Sequence, residues 1–87
     1  MEITDIKIRK LLDSSKMRAI VSVTFDNSLV VHDIKVIESP EKLFLAMPSR
    51  QLPNGGFADI THPTSAALRT QLEERVIAEY KRMLKGG

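Results

Sequence analysis

Apolar and polar residues alternate through most of the first half of the chain, and the period changes once, near residue 65. Ile6 and Ile8 alternate with Lys7 and Arg9, which predicts a half-buried strand with a basic outer face. Met17, Ala19, Val21, Val23 and Phe25 alternate with Arg18, Ile20, Ser22 and Thr24, the cleanest two-residue period in the sequence. Asp13 to Lys16 reads as the turn before that strand. Asp26-Asn27-Ser28 reads as a tight turn after it, leading into a third strand from Leu29 to Ile37. The second and third strands are therefore expected to pair as an antiparallel hairpin. Glu38 to Lys42, with Pro40, forms the next loop; Leu43 to Met47 is a fourth strand and Phe57 to Ile60 a short fifth.

From about Ser65 to Leu84 the spacing becomes helical. Leu68, Leu72, Val76, Tyr80 and Met83 recur every three or four residues and form one apolar stripe. Thr64 or Ser65 supplies the hydroxyl that accepts a free N–H of the first turn. Glu73 and Glu74 come early and Lys81, Arg82 and Lys85 late, the charge order that the helix dipole favours.

Strands first and one helix last predict an α+β domain: an antiparallel meander of about five strands with the long C-terminal helix packed on one face. Residues 1–87 form a single domain, since 87 residues are too few for two. One helix covers only one side of the sheet. Strand four is apolar on both: Leu43, Leu45 and Met47 on one face, Phe44 and Ala46 on the other. A second copy of the chain is the expected cover, and a homodimer follows.

Composition narrows the classes. Hydrophobic residues at 43% and charged residues at 28% describe an ordinary globular domain. No apolar run approaches the ~20 residues of a membrane span. The acidic, strand-like start has none of the marks of a signal peptide, so a cytoplasmic location and no membrane partner are expected. With no cysteine, disulfides, thiolate chemistry and cysteine-held zinc are excluded together. A net charge of +2 permits a nucleic-acid partner without requiring one.

Catalytic candidates are thin. His32 and Asp33 are neighbours on a strand and point to opposite faces. Asp59 and His62 lie close enough in sequence to pair, but no activated nucleophile is implied beside them. His62 is expected to cap the helix start or bond the loop backbone, and His32 to be a hydrogen-bonded strand residue. Two histidines with scattered carboxylates do not have metal-ligand spacing. No catalytic residue, metal, cofactor or small-molecule substrate is assigned. A small hydrolase built on Asp59 and His62 is the remotest reading.

The basic residues are more informative. Pro48 ends strand four, and Ser49, Arg50, Gln51 and Asn54 are expected at the tip of a rigid hairpin turned by Gly55-Gly56. Arg and Gln are the side chains able to read guanine or adenine edges with two hydrogen bonds. At 100° per residue, Gln71, Arg75, Ala78, Arg82 and Lys85 share one helix flank, long enough to follow several phosphates. Lys7, Arg9 and Lys10 add a basic strand edge. Helical Lys and Arg are often merely solvated, however, and Glu74 or Glu79 can pair with Arg75, Lys81 or Lys85. Arg69 projects into the apolar stripe, with its head expected either near Ser49 and His62 or on Asp59.

Several separate blocks resemble one family in the right order. They are Met1 to Ile6, Met17-Arg18-Ala19-Ile20, Val30 to Ile37, Leu43 to Ser49, Phe57 to Pro63, and Arg69 with the stretch through Glu79-Tyr80. Across nearly its whole length the chain resembles the SpoVG family (stage V sporulation protein G), small bacterial regulators of septation and sporulation. The resemblance implies a dimeric α+β protein that binds DNA and RNA and regulates genes without enzymatic activity. In that family two basic residues usually follow Met-Pro-Ser and are associated with nucleic-acid contact; here those positions hold Arg50 and Gln51.

The sequence thus leads to a dimeric nucleic-acid-binding regulator of bacterial gene expression, linked to septation and sporulation. Ser49, Arg50, Gln51, Arg75, Arg82 and Lys85 are its contact residues, with Lys7, Arg9, Lys81 and Arg69 as additional candidates. The alternative is a protein-interaction adaptor that recruits a division or transcription partner through its sheet edge.

Overall fold

The computed structural model describes residues 1–12 and 16–86. The elements are β1 (Ile3–Leu11), β2 (Met17–Phe25), β3 (Leu29–Glu38), β4 (Leu43–Ala46), β5 (Ser49–Gln51), β6 (Phe57–Asp59) and α1 (Ala66–Gly86). β1 to β4 form an antiparallel sheet in chain order, and β5 pairs with β6 in a separate two-stranded sheet. The fold is α+β, as the switch of period predicts. It holds six strands instead of five, because Pro48 interrupts the fourth and the chain resumes in a different sheet.

The alternating residues of β2 build the core. Ala19, Val21, Val23 and Phe25 are buried on one face with Ile34 and Val36 of β3, and against them lie Leu72, Val76 and Tyr80 of α1. These helix residues step by four, so they form a single line along the helix. Its N-terminus is set by Ser65, whose Oγ accepts the Leu68 N–H at 3.1 Å. The backbone of α1 also runs close to the outer strands β1 and β4.

Turn chemistry explains the connections. Asp26 and Asn27 both take left-handed backbone conformations (φ 52° and 51°), tolerated by Asn and Asp better than by other side chains. The Ser28 N–H closes this turn on the Phe25 carbonyl at 2.9 Å. The same turn secures the start of β1. Asp26 Oδ1 accepts the Glu2 N–H, the Asp26 N–H bonds the Glu2 carbonyl, and the Asn27 N–H bonds Thr4 Oγ1. The expected turn at Asp13 to Lys16 falls mostly outside the described residues, at 13–15.

Two features matter for function. β4 pairs only with Lys35 to Glu38, so Leu29 to Ile34 of β3 have no strand partner on that side among the described residues. On strand four itself, Leu45 is buried against the helix, while Phe44 and Ala46 are half-buried on the opposite face.

Candidate nucleic-acid interface

Ser49, Arg50 and Gln51 lie along the β5 arm of the small ribbon, and the tip itself is Pro53-Asn54-Gly55. The tip is held by the Leu52 N–H on the Gly56 carbonyl at 2.7 Å, and by the Gly56 N–H on Asn54 Oδ1 at 2.9 Å. Gly55 has φ 90°, a conformation that side chains strain to adopt. The ribbon is closed at its base by the Ile60 N–H on the Pro48 carbonyl at 2.7 Å.

Arg50 sits opposite Ala58, whereas Ser49 and Gln51 sit opposite Asp59 and Phe57. Successive strand residues face opposite ways, so Arg50 and Gln51 project from different sides of the ribbon. Arg50 is exposed, and its side chain makes no hydrogen bond or ion pair with a described residue.

The helix flank is split. Arg75 is exposed and carries no ion pair among the described residues, but Arg82 is held by Glu79 one turn earlier. Its Nε donates to Oε1 at 3.0 Å and its Nη2 to Oε2. These hydrogen bonds hold the Glu79 carboxyl below its ordinary value and raise the Arg82 guanidinium. Arg82 is thus already partnered: Glu79 pairs with it, and not with the expected Arg75, Lys81 or Lys85. Lys81 and Lys85 are exposed in the last turns.

Arg75 and Arg82 border a shallow groove whose other wall is Thr4, Asp5 and Ile6 of β1. The ribbon follows β4, and its base residues Pro48 and Ile60 lie beside Leu29 to Asp33 of β3. Within one chain, therefore, the helix cations and Arg50 lie toward opposite edges of the sheet, and the structure does not bring them together. Arg69 falls within the apolar stripe by its angle, yet it is exposed. Its side chain does not bond Asp59 among the described residues.

His62 bonds the loop backbone, with Nδ1 at 3.2 Å from the Pro63 carbonyl, and makes no contact of this kind with Asp59. His32 is a hydrogen-bonded strand residue, with Nδ1 at 2.8 Å from Ser22 Oγ. Ser22 also accepts from Arg9 Nε at 3.1 Å. This link is not visible in the sequence, because strand alternation alone does not reveal which polar residue will be buried. Among the described residues there is no group of three or more metal-ligating side chains, and no helix is long and apolar enough to cross a membrane.

The SpoVG family profile matches residues 1–82. A protein of Clostridium acetobutylicum named "Putative septation protein SpoVG" is 55% identical over 83 residues, covering 95% of this chain and 87% of its own length. Its namesake in Acetivibrio thermocellus is 54% identical over 86 residues, 99% of this chain and 92% of the relative. The Caldicellulosiruptor saccharolyticus namesake is 49% identical over 87 residues, 100% of this chain and 99% of the relative. A profile spanning almost the whole chain, and relatives near half identity that are themselves almost wholly covered, give one conclusion: this protein belongs to the SpoVG family.

Proposed function

We propose that the protein is a dimeric nucleic-acid-binding regulator of bacterial gene expression, acting in septation and sporulation in the cytoplasm. The observation that carries this reading is Arg50: an exposed guanidinium on a hydrogen-bonded ribbon, with no acidic partner among the described residues. An unpaired arginine held on a short, stiff support is suited to a phosphate or a guanine edge. Arg75 and Lys85 supply further cations from the helix, and the family names attached to the relatives concern septation.

Dimerisation completes the mechanism. Arg50 and the helix cations lie toward opposite edges of one chain, so a partner copy can set its own helix beside the first ribbon. If each protomer neutralises about three phosphates, through Arg50, Arg75 and Lys85, the log–log salt slope for duplex DNA is about −5.

The test is a fluorescence-anisotropy titration of DNA and RNA at two salt concentrations. Arg50→Ala should weaken binding about tenfold or more. Affinity that hardly changes with salt, or with loss of Arg50, would refute the proposal.

A second reading rests on the unpartnered β3 segment. On the side away from β2, Leu29 to Ile34 have no strand partner among the described residues and lie beside the exposed side chains of Leu29, Val30 and Ile60, an edge on which a strand of another division or transcription protein could add. Under that reading Arg50→Ala leaves partner capture intact.

A further inference from the structure

On the sheet face away from α1, two bulges flank one residue of β2. β1 carries an extra residue, Arg9, between its Ile8–Val21 and Lys10–Ile20 pairs. β3 carries one at His32-Asp33, between Ile34–Val21 and Val31–Val23, and Asp33 takes the left-handed conformation there (φ 63°). Bulges re-aim side chains. Here they turn Arg9 from one side and His32 from the other onto Ser22, which is 3% exposed and the single buried polar residue among those described.

Arg9 Nε–H can only donate, so Ser22 Oγ accepts it. The same oxygen meets His32 Nδ1 at 2.8 Å, donating or accepting according to the imidazole tautomer. Arg9 keeps both terminal nitrogens free of protein partners among the described residues. Lys7 pairs directly across from Ser22, and Lys10 and Lys35 both pair with Ile20 on the same face. The carboxylates nearest by position are Asp5, opposite Thr24, and Asp33 in the bulge; neither forms an ion pair with Arg9, Lys7 or His32.

We infer that Arg9 and His32, both held by Ser22, form a phosphodiester-binding site on the open sheet face, with Lys7, Lys10 and Lys35 extending it. It rests on the nucleic-acid reading above and deepens it by adding a site remote from the ribbon. Two observations favour a polyanion over a single carboxylate. The cations spread over the face instead of converging on one point: Lys7 and Lys10 follow one another along β1, and Lys35 lies across the intervening β2, about 10 Å from Lys10 at strand spacing. Arg9 is also oriented through its Nε, so its free fork is already set for an anion. Ser22 is a positioning residue: it touches no ligand and holds the two groups that do.

The experiment uses a single-stranded thymidine octamer and the full chain. Arg9→Gln should weaken binding about tenfold and make the log–log salt slope shallower by about 0.7. Ser22→Ala removes no charge, so it should weaken binding while leaving that slope unchanged. The His32 imidazole resonances should shift on adding the octamer to the wild type and to Arg50→Ala. They should move far less with inorganic phosphate at equal phosphate concentration. Octamer binding with unmoved His32 resonances, or wild-type affinity in a folded Arg9→Gln, overturns this site and leaves the Arg50 reading standing. Equal shifts with inorganic phosphate also overturn it. A wild type that binds no nucleic acid refutes both.

Discussion

The Arg82 guanidinium closes on the Glu79 carboxylate from one turn further along α1, each of two nitrogens meeting its own oxygen. A cation so engaged must leave its partner before it can reach a phosphate. Glu79→Gln should therefore tighten nucleic-acid binding and steepen the duplex salt slope by about 0.9, for each Arg82 released to a phosphate. Matched salt titrations of the two proteins check it, and identical slopes would show that Arg82 never faces the ligand.

The same pair predicts an acid response. Arg82 lowers the Glu79 carboxyl below its ordinary value of 4.5. A depressed carboxyl adds stability above its unfolded value, and that stability is lost as pH falls through the folded one. The window is thus below pH 4.5, and exposure keeps the effect small. Thermal melts of wild type and Glu79→Gln should converge as pH drops through it; a gap constant with pH would contradict the assignment.

Gly55 holds the ribbon tip at φ 90° with open space where a side chain would go. Gly55→Ala should therefore cost about 1–2 kcal/mol through backbone strain alone. The ribbon is a separate sheet, so the cost should appear as local opening. The Leu52 amide, bonded to the Gly56 carbonyl, should exchange about tenfold faster, while the core amide of Val21 holds its rate.

The free edge of β3 bears on dimerisation. Val30 is 44% exposed beside backbone groups that β4 does not reach, and lysine is a side chain that natural edge strands use to prevent pairing. If a second copy adds at this edge, Val30→Lys should lower the light-scattering mass from dimer to monomer. An unchanged dimer would place the contact elsewhere.

The helix and the β2–β3 hairpin were legible because each buries one face against the other, which imposes a period on the sequence. Leu72, Val76 and Tyr80 show this for the helix, and Ala19 to Phe25 for the strand. β5 was not legible. Ser49, Arg50 and Gln51 are all exposed, and a two-stranded ribbon with no core beneath it leaves no alternation to read. The bulges at Arg9 and His32 escaped for a related reason: an extra residue shifts register without changing composition. Arg82 was legible as a cation but not as a partnered one, since Glu79 had several basic neighbours at helical spacing.

The order of the sheet follows the order of the chain, so every strand meets a neighbour already beside it in sequence. Short closures are entropically cheap, and the long return is that of α1 onto the sheet, reaching back as far as β1. Assembly should then run as a zipper of hairpins, with helix docking as its final step. Leu72, 2% exposed in the core, reports on that step: Leu72→Ala should destabilise by about 3 kcal/mol. Most of that loss should appear as faster unfolding in stopped-flow traces, with refolding in water nearly as fast as before.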